Sequence, residues 1–466
     1  MKTPMKTPSS TGLALLLLAP LVLVGCDRSG PVPSGSTAVA GADEASYPGV
    51  LAGSTIYEVN IRQHTPEGTI AAFIEDLPRI KDLGVDVLWI MPVQAIGEEN
   101  RKGSLGSYYS VTDYREVNPE FGTGEDFRRL VDEVHALDMH IILDWVPNHT
   151  AWDHPWITEH PEFYARDAAG NIIYEADWTD IALLDHRNPA TRAAMIEDMA
   201  YWVTEYDIDG FRQDHAGHEI PLYFWEEATA AIDSIKDVFW LAEWDGARMH
   251  NEFDATYAWE LLHLQDAVGR GEADADDIAA FIEGDIQEFG MAPFRMTMTT
   301  NHDENSWNGT VFERYGEGHR TFAAFIFTAY GIPMLYGGQE AGLDKRLRFF
   351  EKDTVDFSDP LELQPFYRSL VRLKKENPAL WAGRYGGMPH RINADPWIYA
   401  FRREKDGNRV IGIMNFSGVP RTLTLTDETV RGTHTDYFTG EELDLDPGTL
   451  ELEPWEYLVF TSGTPG

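Results

Sequence analysis

Asp207-Ile208-Asp209-Gly210-Phe211-Arg212-Gln213-Asp214 is the stretch from which the fold of this chain is read. Residues 206–211, with Tyr206, Ile208 and Phe211 as the apolar positions, read as a short parallel strand covered on both faces, and the stretch ends in a carboxylate. Arg212 and Asp214 stand at i and i+2, so both point to the same side of that strand. A carboxylate held beside a guanidinium keeps its charge at neutral pH, as a nucleophile must. Taken alone, an Arg-x-Asp pair more often marks a structural ion pair at a strand end.

Three further segments change that balance. They are Asp144-Trp145-Val146-Pro147-Asn148-His149, Glu243-Trp244 closing the run 238–242, and Asn301-His302-Asp303 following the run 295–300. Each is a hydrophobic strand ending in Asp, Glu or His. Four such ends, separated by helical patterns, are what a (β/α)8 TIM barrel needs to assemble a site on its C-terminal face. In these segments the sequence resembles the α-amylase family of glycoside hydrolases, whose four short motif regions they match in order. The resemblance covers most of residues 54–460.

The resemblance implies a retaining hydrolase of α-1,4-glucosidic bonds, with an α-glucan or maltooligosaccharide as substrate. On that pattern Asp214 is the nucleophile, Glu243 the general acid and then base, and Asp303 the third carboxylate, bonding sugar hydroxyls. Asp144 orients Arg212, and His149 and His302 bond hydroxyls of the same glucose. Elementary electrostatics agrees for Glu243: at the end of an apolar strand and facing two acids, it is expected to have a raised pKa and to begin protonated. The long loop 92–121 is of a length that is usually functional in a compact domain. Aligned on the family loop, it offers Tyr109 as the aromatic platform at the cleavage point, with Tyr108 as the alternative; a Tyr ring suits the apolar face of a glucose.

Two departures bear on specificity. His215 stands where the family usually has a small residue, and Gly217 where many endo-acting members carry a Lys before the His that matches His218. That Lys-His pair grips the sugar on the leaving-group side, so its loss weakens a strict endo-amylase reading. Cyclomaltodextrinase, neopullulanase, α-glucosidase and glucanotransferase activities stay open, as does a non-catalytic glycan-binding role. Trp244 is expected to wall the cleft. For metal, the resemblance points to calcium on Asn148 and the carbonyl of His218, with Asp177, Asp180 and Asp185 as candidates for the remaining donors; hard oxygen ligands favour that ion. No organic cofactor is implied.

The expected organisation is a lipoprotein signal peptide over 1–25, a flexible tether over 26–50, the barrel over 51–378 with a short insertion at 150–186, and an antiparallel β-sandwich over 379–466. Lys2 and Lys6 precede the apolar run 13–24, which is short for a membrane span. The run leads into Leu23-Val24-Gly25-Cys26, which looks like a bacterial lipobox with Cys26 as the acylated residue. Cys26 is the single cysteine, so no disulfide within the chain is available. Two or more acyl chains anchor stably, and the expectation is an enzyme tethered in the bacterial envelope, periplasmic or cell-surface, touching the membrane through its anchor alone.

The formal charge is −40, with 77 acidic against 37 basic residues, and 43% of the chain is hydrophobic. Such a hydrophobic content excludes disorder as the cause of the charge. The surplus argues against nucleic acid and anionic lipid as partners and suggests a salt-screened, halophilic surface. No residue pattern reports the oligomeric state. The remaining alternation reads as strands at 56–61, 85–90, 253–256 and 332–336, with helices near 69–83, 124–137, 189–206, 221–235, 259–268, 277–289, 322–330 and 365–376. Short alternating runs at 398–402, 410–415, 422–425 and 457–461 make up the C-terminal sandwich.

Overall fold

The computed structural model describes residue 47 and residues 49–358 and 360–462. The signal-peptide and Cys26 readings, and the tether reading apart from residues 47, 49 and 50, therefore lie outside the described residues. Eight parallel strands close into a barrel: β1 (Ile56–Val59), β2 (Val87–Ile90), β3 (His140–Trp145), β4 (Gly210–Gln213), β5 (Phe239–Ala242), β6 (Ala255–Tyr257), β7 (Phe294–Thr297) and β8 (Ile332–Tyr336). Neighbours pair in sequence order and β8 returns to β1, through Ile56 opposite Met334 and Glu58 opposite Tyr336.

Side-chain alternation accounts for what each strand contributes. Ile56, Val87, Ile142, Phe239, Ala255, Phe294 and Ile332 fill the barrel interior. Tyr57, Leu88, Ile141, Phe211 and Trp240 face the helical layer instead. Both faces are buried, so the strands read as continuous apolar runs. Advancing by twos from the interior residues reaches Glu58, Trp89 and Asp144, and from Gly210 reaches Arg212 and Asp214. The period of two thus delivers polar groups to the C-terminal mouth of the barrel.

The decisive stretch is shorter as a strand than its composition suggests. Tyr206 ends the helix Pro189–Tyr206, and Asp207 caps it in the left-handed conformation at φ 60°. The ladder starts at Gly210, because residues 207–209 are spent turning from helix to sheet. Asp209 anchors that turn: its carboxylate accepts from the Ile141 amide at 2.9 Å and pairs with Lys236 at 2.9 Å. Gly210 has a steric reason. A Cβ there would lie 2.1 Å from the Phe239 carbonyl oxygen on β5.

Other boundaries shift similarly. The helix expected over 69–83 is two helices, Ile70–Ile74 and Leu77–Leu83, with Pro78 in the first turn of the second. The loop 92–121 contains an antiparallel pair, Gln94–Ile96 with Val111–Val117, and the insertion contains another, His149–Ala151 with Ile181–Leu183.

The C-terminal region is antiparallel, in the order His390–Arg391, Ile398–Lys405, Asn408–Asn415, Tyr457–Ser462, with the two-stranded pairs Arg421–Thr424 with Thr449–Leu452 and Thr433–Thr435 with Glu442–Asp444. Ile398, Ile411, Ile413, Leu423, Leu452 and Phe460 form its own core. Its other face packs on the barrel helices, where Phe416 stacks on Phe322 with ring centroids 5.0 Å apart. Buried Arg403 crosses the junction, donating to the carbonyls of Gly387, Thr328 and Trp381 at 2.7, 3.1 and 2.8 Å.

Candidate active site

Arg212 is the hub of the barrel mouth. It is fully buried and its neighbour across the β3–β4 ladder is Asp144. Its Nη1 donates to Asp144 Oδ1 at 2.9 Å and to Asp214 Oδ1 at 2.8 Å, and its Nε donates to the Tyr257 hydroxyl at 3.2 Å. Its Nη2 lies 2.9 Å from Glu243 Oε1 but makes no hydrogen bond there. One guanidinium therefore touches three carboxylates carried by three consecutive strands.

The environments of these acids differ. Burial pushes the Glu243 carboxyl up to about 8, Asp214 and Asp303 add to the rise, and Arg212 opposes it. Burial and the two like charges outweigh the guanidinium at 2.9 Å. Glu243 Oε2 accepts from the backbone N–H of His215 at 2.8 Å, which fixes the carboxyl plane. Burial also pushes Asp144 up, to about 7, against the pull of Arg212. Its Oδ2 nevertheless accepts from Trp89 Nε1 and from the Tyr109 hydroxyl, both at 3.1 Å, so its oxygens are committed to fixed donors. Asp303 goes the other way: burial would raise it, and His302 followed by Arg212 outweighs that and holds it below the usual carboxylate range.

His302 is held well above its ordinary value although burial opposes this, because Asp303 and Glu58 flank it. Its Nδ1 contacts Glu58, while its Nε2 lies 2.8 Å from the Tyr109 hydroxyl and 3.3 Å from Asp303 Oδ2. The ring stacks on Tyr109, centroids 5.6 Å apart. His149 is pushed down by burial; its Nε2 sits 3.0 Å from the Tyr109 carbonyl and its Nδ1 3.4 Å from Asn148 Nδ2. A sugar contact by His149 therefore has to share a nitrogen already engaged with the protein.

Asp214, Glu243, Asp303, Tyr109 and His149 all line one cavity of about 630 Å³. Of the two tyrosines, Tyr109 faces that cavity. Tyr108 instead packs under the Arg62 guanidinium, 4.2 Å from its ring centroid, with its hydroxyl accepting from Asn60. Trp178, His215, Lys102, Trp307, Phe349 and Phe350 line it as well. Trp244 and His218 stand just behind. The Trp244 indole lies against Gly217, where an added Cβ would come within 2.2 Å of it, and His218 Nε2 meets Glu175 Oε1 at 2.6 Å.

A family model for the alpha-amylase catalytic domain matches residues 42–178 and 164–410. The chain belongs to the alpha-amylase family. It is a glycoside hydrolase of that family, 28% identical over 402 residues to Alpha-amylase MalA of Haloarcula japonica, a match covering 80% of this chain and 56% of that protein. It is 24% identical over 425 residues to Alpha-amylase 2 of Dictyoglomus thermophilum, covering 85% of this chain and 71% of that one. Among solved structures, an alpha-amylase from Lactobacillus plantarum superposes with a TM-score of 0.79 at 27% identity, covering 89% of this chain and 99% of the other. A maltogenic alpha-amylase, AmyB from Thermotoga neapolitana, gives 0.78 at 26%, covering 89% and 97%. The chain thus spans little more than half of the Haloarcula relative and nearly the whole of both solved structures.

Sequence reasoning missed several members of this alpha-amylase site. Glu58 was legible in principle, because a carboxylate inside the apolar run Ile56-Tyr57-Glu58-Val59 has to meet a partner when buried. Trp307, Phe349 and Phe350 carried no such signal. Trp307 lies in the short π-helix Glu304–Asn308 after β7 and Phe349 and Phe350 in a turn after β8, and only the closure of the barrel brings them to the cleft.

Proposed function

We propose that this chain hydrolyses α-1,4-glucosidic bonds of starch-like glucans and maltodextrins with retention, through a covalent glycosyl-enzyme intermediate. The observation that carries the reading is the convergence of Asp214, Glu243 and Asp303 on one cavity, with opposite electrostatic settings for Glu243 and Asp303. Two carboxyl groups are what the reaction needs, one to protonate the leaving oxygen and one to attack the anomeric carbon. Glu243, neutral at pH 7, gives its proton to the glycosidic oxygen while Asp214 Oδ attacks C1 and the bond to the leaving sugar breaks. Glu243, now charged, then takes a proton from water, and that water attacks C1 and releases Asp214. Asp303 bonds hydroxyls of the distorted ring and is held charged for it by His302, whose two nitrogens already face Glu58 and the Tyr109 hydroxyl. Tyr109 offers its face to the same glucose.

The same fold admits a second preference. Trp244 fills the space any side chain at position 217 would need, so no Lys grips the leaving-group side. This favours short maltodextrins or cyclodextrins over long starch chains. Digestion of starch, pullulan, cyclodextrin and maltotriose, with products resolved by chromatography, separates the readings. Fast release of mixed oligosaccharides from starch supports the first; preferential opening of cyclodextrin supports the second; product formation from none of the four would contradict both.

Calcium on Asn148 and the His218 carbonyl stays a proposal, and no step above runs through it. Of the further candidate donors, Asp180 pairs with Lys102 at 3.3 Å and Asp185 accepts two hydrogen bonds from the Arg187 side chain, so an ion would compete with both cations for them. The reading also takes Cys26 as a lipid attachment point and the enzyme as tethered in the bacterial envelope, on the lipobox-like run before it.

A further inference from the structure

Glu175 lies in the insertion, and His215 and His218 lie in the loop that follows β4. Among the described residues they form a group whose three donor atoms all lie within 4.8 Å of one another. His218 Nε2 is 2.6 Å from Glu175 Oε1, and His215 Nε2 is 3.8 Å from the same oxygen. The two imidazole centroids are 4.6 Å apart. Glu175 Oε2 and His215 Nε2 are both shut off from solvent without a hydrogen-bond partner. Two buried polar atoms left unsatisfied within one small cluster is a costly arrangement. His215 also holds a left-handed backbone, φ 52°, which a residue with a Cβ adopts at some cost.

We propose that Glu175, His215 and His218 bind a divalent transition-metal ion of the zinc type. Two neutral imidazoles and one carboxylate are a borderline donor set that suits zinc, whereas calcium and magnesium take oxygen ligands. Bonds of about 2.0–2.2 Å to a common tetrahedral centre place donors about 3.3 Å apart. The 2.6 and 3.8 Å spacings bracket that value and no two donors are more than 4.8 Å apart, so side-chain rotation has to bring the three to a common centre. Three protein ligands leave the fourth position for water. The ion would use the side chain of His218 and not its carbonyl, and so differs in donors and in chemistry from the calcium considered above.

The site would tie the insertion to the β4 loop at a sensitive place. His215 lines the catalytic cavity beside Trp178, and its backbone N–H holds Glu243. An ion there fixes His215, crowds that end of the cavity and adds positive charge near the carboxyl that must start neutral. Zinc is therefore expected to stabilise the fold and to slow hydrolysis.

The test uses the full chain, stripped with a chelator and titrated with ZnCl2 in a calorimeter, with thermal melting measured in parallel. The wild type should bind one ion and melt at a higher temperature as it does so. Glu175→Gln and His215→Asn should each weaken binding at least about tenfold and lose the thermal shift. Asn is chosen at 215 because it tolerates the left-handed backbone. CaCl2 should not compete. Absence of saturable zinc binding, or equal binding by the wild type and both variants, would overturn the proposal. These readouts need no turnover, so they stand apart from the hydrolytic reading. In assays with active enzyme, zinc inhibition should share the binding midpoint and shift with it in Glu175→Gln.

Discussion

Glu243 and Asp303 both line the cavity beside the same guanidinium, yet one is driven up and the other down. The difference is the partner. Asp303 has a charged imidazole at 3.3 Å, whereas Glu243 has a guanidinium edge that is near but misaligned, plus two like charges. This sets a pH dependence with a definite sign. The acid form of Glu243 is required, so kcat/KM should fall as pH rises through about 8. Glu243→Gln should lower kcat by about 10²–10⁴-fold and remove that limb. Stability gives an independent reading. A carboxyl raised above its unfolded value binds its proton more tightly when folded, so its contribution is full below the unfolded pKa and is lost as pH rises through the folded one. Glu243→Gln should therefore melt higher than the wild type above about pH 8 and show no such gain near pH 4. Melting curves of both proteins at the two pH values check this; a variant less stable at alkaline pH would remove the raised pKa from the account.

The element that organises the site is β4, and its shortness is instructive. Composition alone extends it back to Tyr206, since apolar and β-compatible residues do not distinguish a strand from the turn that feeds it. The structure begins the ladder at Gly210, after a left-handed cap at Asp207 that no periodicity announces. What the residues did show was phase: Arg212 and Asp214 share a side because strands alternate, and that holds wherever the strand starts. Gly210 tests the packing of this element. A methyl there would meet the Phe239 carbonyl at 2.1 Å, in a barrel whose neighbouring strands cannot part without disturbing Glu243 at the end of β5. Gly210→Ala should destabilise by roughly 1–3 kcal/mol in denaturant melts and lower activity together with stability. A melt unchanged from the wild type would mean that the sheet yields there. Trp178 and Glu175 show the opposite case. Their roles depend on where the insertion folds over the mouth, and nothing local to residues 150–186 encodes that docking.

For the whole molecule the four strand-end motifs, through their resemblance to the α-amylase family, implied a closed parallel barrel, whose C-terminal face gathers Asp144, Asp214, Glu243 and Asp303 from segments up to about 160 residues apart. The antiparallel C-terminal sheet was legible from alternation. Its attachment was not: Arg403 sits in an ordinary alternating strand, and its burial against the carbonyls of Thr328 and Trp381 follows from the docked helices. The charge of −40 is a property of the whole surface. Self-repulsion on that scale is screened over about 10 Å at 0.1 M salt and about 3 Å at 1 M, so the melting temperature should rise as NaCl is increased from low to molar concentration. A melting temperature independent of salt would contradict the halophilic reading.

The claim on which these scales converge is that Asp214 attacks the anomeric carbon while Glu243 supplies the proton. The most direct measurement is mass spectrometry of the protein after incubation with an α-glucosyl fluoride carrying a second fluorine on the ring. That substituent slows release of the sugar more than its attachment, so the covalent intermediate accumulates. The account predicts one added sugar, mapped after proteolysis to the peptide that contains Asp214 and absent in Asp214→Asn. A sugar carried on Glu243 or Asp303, or continued turnover by Asp214→Asn, would contradict it.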